Sequence, residues 1–293
     1  MKGEMRRLLA KSIPFRADPS GHLDGAVTFR GHTALVLAAA EELLEHRGSA
    51  SLQAAGLGQE LLGRLRRLVL LGAAVHDLGK CSDHFQAMIR GERKEPQLLR
   101  HEALTLWLCW PGQPLAAWLR QAVEEETDLC LALVGAAAHH RKFRKDAVAP
   151  RNSGAGVSIE LLVHHEDFSD TLKLLSLKLR LPAPPTLPAP LHIRVSRGHD
   201  PERQLDTWQE DFEQRVPPDS LEARLLPVVK ALVLAADVAG SALPRAGERH
   251  LWIGRELSRR ASAELSLPRL GGQVDYAACL WTSAVRSYSA GLT

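Results

Sequence analysis

The sequence is poor in the residues that build sheets and disulfide frameworks. Aromatic residues make up 5% of its 293 residues, with 2 Tyr and 6 Phe, while Leu and Ala are abundant, a balance that favours helices over strands. Its four cysteines have no CxxC spacing, which argues against a zinc framework or a set of disulfides. They are Cys81, Cys109, Cys130 and Cys279. We expect an all-α protein whose cysteines are reduced core residues.

Several other features are missing. No unbroken apolar run approaches the length of a membrane span, the N-terminus lacks the hydrophobic core of a signal peptide, and no GxxxxGK[ST] phosphate loop occurs. These absences predict a cytoplasmic protein that makes no membrane contact and is not itself an NTP-driven motor. The formal net charge of +3 is mildly basic, which is compatible with a nucleic-acid partner but predicts only modest affinity for it.

The apolar patterning predicts one domain over residues 1–293. A metal-binding core would span about 8–243 and a helical tail 244–293. Prolines concentrated in 182–190 predict an extended surface excursion, and the alternating residues 192–195 predict one short strand, as in a hairpin edge. The region 160–220 contains no motif that suggests a function. The fold class is therefore an all-α bundle with a proline-rich excursion and room for one β-hairpin.

A His-Asp pair occurs where a long apolar helical pattern ends. The pattern begins near Leu61, and the pair is His76-Asp77. Gly79, which favours the end of a helix, and Lys80 follow it. A buried carboxylate needs a strong partner, and a divalent metal shared with a neighbouring imidazole is one. Taken alone, however, the pair is also explained by an ordinary helix end with a solvated aspartate.

Other imidazoles and carboxylates stand where a packed helix would not need them. Each has a structural explanation by itself, such as a helix-start histidine, a surface pair or a buried ion pair. Together they predict a centre for Mn, Fe, Co, Ni or Zn, because imidazole and carboxylate ligands in combination suit these metals. Besides the His-Asp pair, the candidates are His32, His101, His139, His140 and Asp237.

The order of His32, His76-Asp77 and Asp237 resembles the HD superfamily of metal-dependent phosphohydrolases. Four further features make the resemblance more specific. They are His101, the doublet His139-His140, the segment LLAKS at 8–12 and the run from HDLGK to Phe85-Gln86. With them the chain is similar to the HD nuclease domain of the CRISPR-associated helicase-nuclease of type I interference systems. The resemblance extends from about residue 8 to residue 243.

This resemblance implies an HD-domain helical bundle that holds one or two divalent ions, with Mn, Ni, Co or Fe favoured and Mg or Zn also compatible. It implies two ligand sets that share one carboxylate. The first set is His32, His76, Asp77 and Asp237; the second is Asp77, His101, His139 and His140. Arg141 replaces the glycine that often follows the paired histidines in that family.

The implied chemistry is phosphodiester hydrolysis. Two divalent ions can activate a water and clamp the leaving oxygen, and a carboxylate can bridge them through its two oxygens. Asp77 and Lys80 are the predicted catalytic residues, with Lys80 supplying positive charge to the transition state. Ser241, one turn beyond Asp237, is a candidate for orienting a ligand or a phosphate. A basic run follows the histidine doublet, where cations could hold a DNA backbone; its candidate contacts are Arg141, Lys142 and Arg144.

The resemblance also implies a substrate and partners. The substrate would be single-stranded DNA, cut as an endonuclease with exonuclease activity as a further option. The DNA would be delivered by a helicase, present in cis beyond the tail or in trans, and by an RNA-guided surveillance complex. Two alternatives stay open: an HD phosphohydrolase for a dNTP or cyclic nucleotide, with one metal at His32, His76-Asp77 and Asp237, and a helical interaction module without activity.

Overall fold

The computed structural model describes residues 6–12, 25–94, 97–137, 157–195 and 201–264. Most of these residues are helical, as the composition predicts. The helices are α1 Phe29–Ala54, α2 Leu62–Val75, α3 Asp83–Ile89, α4 His101–Cys109, α5 Ala116–Leu119, α6 Glu126–Ala137, α7 Glu166–Leu179, α8 Pro201–Arg215, α9 Leu221–Arg245 and α10 Leu251–Glu264. Short 3-10 turns occupy Gly25–Val27, Gln59–Leu61, Leu78–Cys81 and Arg120–Ala122.

The centre of the molecule is a bundle of α1, α2, α6 and α9, which pack against one another. In α9 the buried residues recur every three or four positions from Leu225 to Leu243, which is the spacing of one helix face. In α6 nearly every residue is buried, as its continuous apolar sequence predicts. Cys81, Cys109 and Cys130 are free and buried, which confirms their prediction as core residues, whereas Cys279 lies outside the described residues.

Among the described residues, α9 is the one helix long and apolar enough to cross a membrane, by length and composition alone. It passes through Pro227 without a break. Its apolar face packs on α1, α2 and α6 and includes the buried carboxyl of Asp237. These contacts are those of the core helix of a helical bundle.

Two short strands form an antiparallel sheet. Strand β1, Val157–Leu161, pairs with β2, Leu191–Val195, so that Val157 lies opposite Val195 and Leu161 opposite Leu191. The strand expected at 192–195 is therefore present, but its partner is not a hairpin neighbour, because α7 lies between the two strands. Strand β1 has a sequence signal of its own, the alternation in VSIEL.

Helix α1 runs from Phe29 to Ala54. Its N-cap is Thr28, whose hydroxyl accepts a hydrogen bond from the Gly31 amide at 3.1 Å. The helix continues through Gly48 to Ala54. His32 lies near the start of the helix, as expected, and is fully buried.

Helix α2 ends at Val75, before the His-Asp pair rather than after it. His76 still has helical dihedral angles, whereas Asp77 has φ −112° and ψ 6° and leads into the 3-10 turn Leu78–Cys81. Gly79 therefore lies inside this turn and does not end the helix. The change of direction at Asp77 aims its carboxylate between α1, α4 and α9.

Two glycines let backbone segments approach closely at the site. A Cβ on Gly79 would overlap the carbonyl oxygen of His101 and lie 2.7 Å from the Thr105 amide nitrogen. A Cβ on Gly240 in α9 would lie 2.7 Å from Val36 Cγ2 and 3.0 Å from the Val36 nitrogen in α1. These close approaches place His101 beside Asp77 and bring α9 against the helix that carries His32.

We expect Gly79→Ala to reduce the free energy of unfolding by about 3 kcal/mol, because backbone atoms of α4 cannot move away from the added methyl at small cost. The control is Gly63→Ala in α2, where the nearest atom to the new Cβ is 3.7 Å away in the Arg67 side chain. That change should stabilise the fold by about 0.5 kcal/mol through the unfolded chain. Urea denaturation measures both, and equal stabilities for the two variants would contradict the close approach.

Candidate metal centre

The candidate centre lies where four segments of the chain meet. Helix α1 supplies His32, the end of α2 supplies His76 and Asp77, α4 supplies His101, and α9 supplies Asp237. All five side chains are buried, none with more than 7% of its surface exposed. The structure thus brings together, in one place, five ligands predicted from positions up to 205 residues apart.

The Asp77 carboxylate has imidazoles on both of its oxygens. Oδ2 lies 3.2 Å from His32 Nε2 and 3.2 Å from His76 Nε2. Oδ1 lies 3.4 Å from His101 Nε2. The two oxygens of this one carboxylate therefore face two different groups of ligands, which is the arrangement that a bridging carboxylate requires.

The Asp237 carboxylate closes the first of these groups. Its Oδ1 lies 3.1 Å from His32 Nε2 and 3.8 Å from His76 Nε2, and the Ser241 hydroxyl donates to the same oxygen at 3.3 Å. Ser241, one turn further along α9, thus contacts one of the predicted ligands.

Both carboxylates are ionised despite their burial. Burial by itself raises the pKa of Asp77, but the charges of His76 and Lys80, followed by hydrogen bonds from His32 and His76, outweigh it and hold that pKa well below its ordinary value. For Asp237, burial is again opposed, first by the hydrogen bond from His32 and then by the charges of His76 and Lys11, so its pKa is also well below the ordinary value. The centre therefore holds two ionised carboxylates inside an apolar bundle.

A backbone carbonyl fixes the orientation of the His76 ring. Its Nδ1 lies 2.8 Å from the carbonyl oxygen of Ala73, so the Nδ1–H donates to the backbone and Nε2 faces the carboxylates. This is the usual arrangement of a metal-binding histidine, whose second nitrogen is held by a carbonyl or a carboxylate. Burial lowers the pKa of His76, but the neighbouring charge of Asp77 outweighs burial and raises it.

His101 is held by a carboxylate in the same manner. Its Nδ1 lies 3.3 Å from Glu102 Oε2, and Arg100 forms a two-nitrogen pair with Glu102, with its closest nitrogen at 2.5 Å. Burial raises the pKa of Glu102, yet His101 and Arg100 bring it down to about 2. The sequence pair His101-Glu102 is therefore a supported imidazole rather than a solvated surface pair.

Two lysines lie against the carboxylates. Lys80 Nζ donates to Asp77 Oδ2 at 2.6 Å and to the Ala10 carbonyl at 3.2 Å, and it lies 5.5 Å from the centre of the Phe85 ring. Lys11 Nζ is 3.5 Å from Asp237 Oδ1. The predicted catalytic residues Asp77 and Lys80 are therefore in direct contact.

The residues of the centre fit a divalent cation. The ligand atoms of His32, His76 and Asp77 all lie within 4.8 Å of one another. Asp77 Oδ1 is buried and accepts no hydrogen bond within the described part of the chain, a costly state for a carboxylate oxygen unless a cation faces it. The two carboxylates and the imidazoles form the oxygen and nitrogen donor set that suits first-row transition metals.

Part of the predicted site cannot be placed. His139, His140, Arg141, Lys142 and Arg144 lie outside the described residues. Helix α6, as described, ends at Ala137, two residues before the histidine doublet. The second ligand set and the DNA-contacting run therefore stay predictions.

Sequence reasoning missed three residues that support the centre. Glu102 holds His101, and Lys11 contacts Asp237. Gln86 forms two hydrogen bonds with the backbone of Leu9: its Nε2 donates to the Leu9 carbonyl, and its Oε1 accepts from the Leu9 amide. Lys11 and Gln86 belong to stretches quoted for the family resemblance, LLAKS and Phe85-Gln86. Their roles depend on the chain returning to the centre, which no local pattern reveals.

An all-α bundle with a His-Asp pair at a helix end, a histidine from an earlier helix and an aspartate from a later one defines the class of HD-domain phosphohydrolases. Within that class, the family model described as "Cas3, HD domain" matches residues 17–243. The chain belongs to this family, which confirms the prediction of a CRISPR-associated HD nuclease domain.

One curated relative is similar over most of the chain. It is a protein of Myxococcus xanthus whose name assigns it as a CRISPR-associated nuclease/helicase Cas3, and it is 60% identical over 260 residues. The match covers 89% of this chain and 34% of the relative. The chain therefore spans about a third of the length of that relative.

We expect Glu102→Gln to weaken divalent-metal binding by about tenfold, because the carboxylate that supports a metal-bound histidine is commonly worth that much or more. Equilibrium dialysis of Mn²⁺ against the metal-stripped protein measures the affinity. Glu124→Gln is the matched control, since Glu124 is 71% exposed and pairs with Arg67 on the surface. If the two variants bind Mn²⁺ equally well, His101 does not take part in binding the metal.

Proposed function

We propose that this chain is a metal-dependent nuclease domain that cleaves single-stranded DNA in CRISPR interference. The observation that carries the proposal is the Asp77 carboxylate, whose Oδ2 faces His32 and His76 while its Oδ1 faces His101. A carboxylate with imidazoles on both oxygens supports a centre for two ions. The family match and the nuclease/helicase name of the Myxococcus relative support the nucleic-acid substrate.

The proposed ligands follow the geometry and the family resemblance. One ion would be held by His32, His76, Asp77 and Asp237. A second would share Asp77 and bind His101, His139 and His140. When bound, such ions supply an activated water and positive charge at the leaving oxygen, and the favoured ions are Mn, Ni, Co or Fe, with Mg or Zn as further options.

The surrounding residues keep this donor set in place. The Nδ1 atoms of His76 and His101 are held by the Ala73 carbonyl and the Glu102 carboxylate, so their Nε2 atoms face Asp77 and Asp237. Lys80 holds Asp77 and leaves a positive charge beside it. Such preorganisation reduces the rearrangement that ion and substrate binding would otherwise require.

The proposal extends to partners. A helicase, in cis beyond this chain or in trans, would deliver the single strand, together with an RNA-guided surveillance complex, and Arg141, Lys142 and Arg144 would contact the DNA backbone. The site of action would be the cytoplasm. The chain contains no nucleotide-triphosphate loop of its own, so strand separation requires that partner.

The test is cleavage of a circular single-stranded DNA by metal-stripped protein, resupplied separately with Mn²⁺, Ni²⁺, Co²⁺, Mg²⁺ and Zn²⁺. We expect cutting with at least one ion and a loss of more than about a hundredfold in Asp77→Ala, since even outer partners of metal ligands are worth 10–100-fold. Asp170→Ala is the control, because Asp170 is a surface residue paired with Lys173. A circle that stays intact with every ion would contradict the proposal.

The two alternatives give different results in the same experiment. Release of phosphate or pyrophosphate from dNTPs, or opening of a cyclic nucleotide, without DNA cutting would indicate a small-nucleotide phosphohydrolase. No hydrolysis of any of these substrates would indicate an interaction module. His139→Ala separates one ion from two: unchanged DNA cutting in that variant would remove the second ligand set from the mechanism.

A further inference from the structure

The N-terminal segment 6–12 lies along the candidate centre as an ordered strap. Its Leu8 amide donates to Asp167 Oδ2 at 2.6 Å, the Phe29 amide donates to the Leu8 carbonyl at 2.9 Å, and the Ala10 amide donates to the Val27 carbonyl at 2.8 Å. Leu8, Leu9 and Ala10 are each no more than 2% exposed. The strap is therefore part of the core, and Lys11 within it has a defined position.

Helix α1 and the turn after α2 both fix this position. Leu9 forms an isolated bridge with Thr28, the N-cap of α1, and the Lys80 ammonium donates to the Ala10 carbonyl. Lys11 is thereby held between the start of α1 and the turn that carries Asp77. Its Nζ lies 3.5 Å from Asp237 Oδ1.

The two lysines at the centre differ in what they can still bind. The Lys80 side chain is 6% exposed and already makes two short contacts, with Asp77 and with a backbone carbonyl. The Lys11 side chain is 21% exposed, and its ion pair with Asp237 is long, at 3.5 Å. The Lys11 ammonium thus lies against the ligand cluster while part of its side chain is open to solvent.

We propose that Lys11 is a phosphate-binding residue of this centre, which contacts an oxygen of the substrate phosphate beside the Asp237 ligand. A compact ammonium with three donors can bridge a carboxylate and a phosphate oxygen at the same time. Lys80, by contrast, positions Asp77. This inference deepens the proposed function, because it rests on a phosphate ester being the substrate, and it names a residue outside the expected ligand and catalytic sets.

The test measures phosphate binding apart from cleavage. Calorimetric titration of the Mn²⁺-loaded protein with thymidine 5′-monophosphate reports the affinity for one phosphate group. We expect Lys11→Met to weaken it about tenfold, the usual worth of one charged hydrogen bond, and Lys11→Arg to restore most of the loss. Lys178→Met is the matched control. Like Lys11, Lys178 pairs with a carboxylate, but its partner is Glu41 on the surface.

Mn²⁺ affinity and urea stability are measured on the same variants. A Lys11→Met protein that binds the nucleotide as tightly as the wild type overturns the inference. So does a variant whose Mn²⁺ affinity falls as much as its nucleotide affinity, because Lys11 would then only orient Asp237. Where Lys11→Met is too unstable for titration, Lys11→Gln replaces it, and the same two outcomes overturn the inference.

Failure of the proposed nuclease function gives a separate signature. Suppose that the wild-type protein leaves circular DNA intact, but that Lys11→Met still weakens nucleotide binding. The phosphate site is then supported, and only the assignment of DNA as the substrate is wrong. In DNA cleavage, by comparison, a contact to substrate alone should raise KM in Lys11→Met more than it lowers kcat.

Discussion

The structure depends on two ionised carboxylates buried in the middle of a helical bundle. Asp77 and Asp237 share His32, whose Nε2 lies 3.2 Å from one and 3.1 Å from the other. Two negative charges so close together in an apolar interior are costly unless positive groups surround them. Lysines lie against both carboxylates. The carboxylate oxygens and imidazole nitrogens together form a donor set that suits a divalent cation.

Helix packing is what makes that concentration of charge possible. Small residues let the segments approach until side chains from four of them reach one point: Gly240 admits Val36 at the crossing of α9 and α1, and Gly79 admits the start of α4. Apolar side chains fill the rest of the bundle. The charges of the centre are therefore screened less than they would be in water. The same packing that stabilises the fold therefore also creates the conditions for binding a metal.

A layer of supporting contacts surrounds the candidate ligands. Ala73 and Glu102 each hold the far nitrogen of an imidazole, Ser241 donates to Asp237, and the N-terminal strap returns to supply a lysine. Gln86 ties that strap to the centre, since its amide nitrogen also donates to the Lys80 carbonyl at 2.8 Å. The donor set is thus positioned before any ion or substrate arrives, which is the condition for a low cost of binding.

By itself the sequence determined the helical class, the buried cysteines and the residue types of the centre, because composition, apolar period and the His-Asp pair are local signals. It misplaced the end of α2, because the turn of the backbone at Asp77 leaves only a weak mark in the apolar pattern. It also missed β1, whose partner lies beyond α7. Only the tertiary structure decided that Asp77 presents its two oxygens to different imidazoles and that Lys11 meets Asp237, because these contacts join residues that are far apart in the chain and adjacent only after the helices pack.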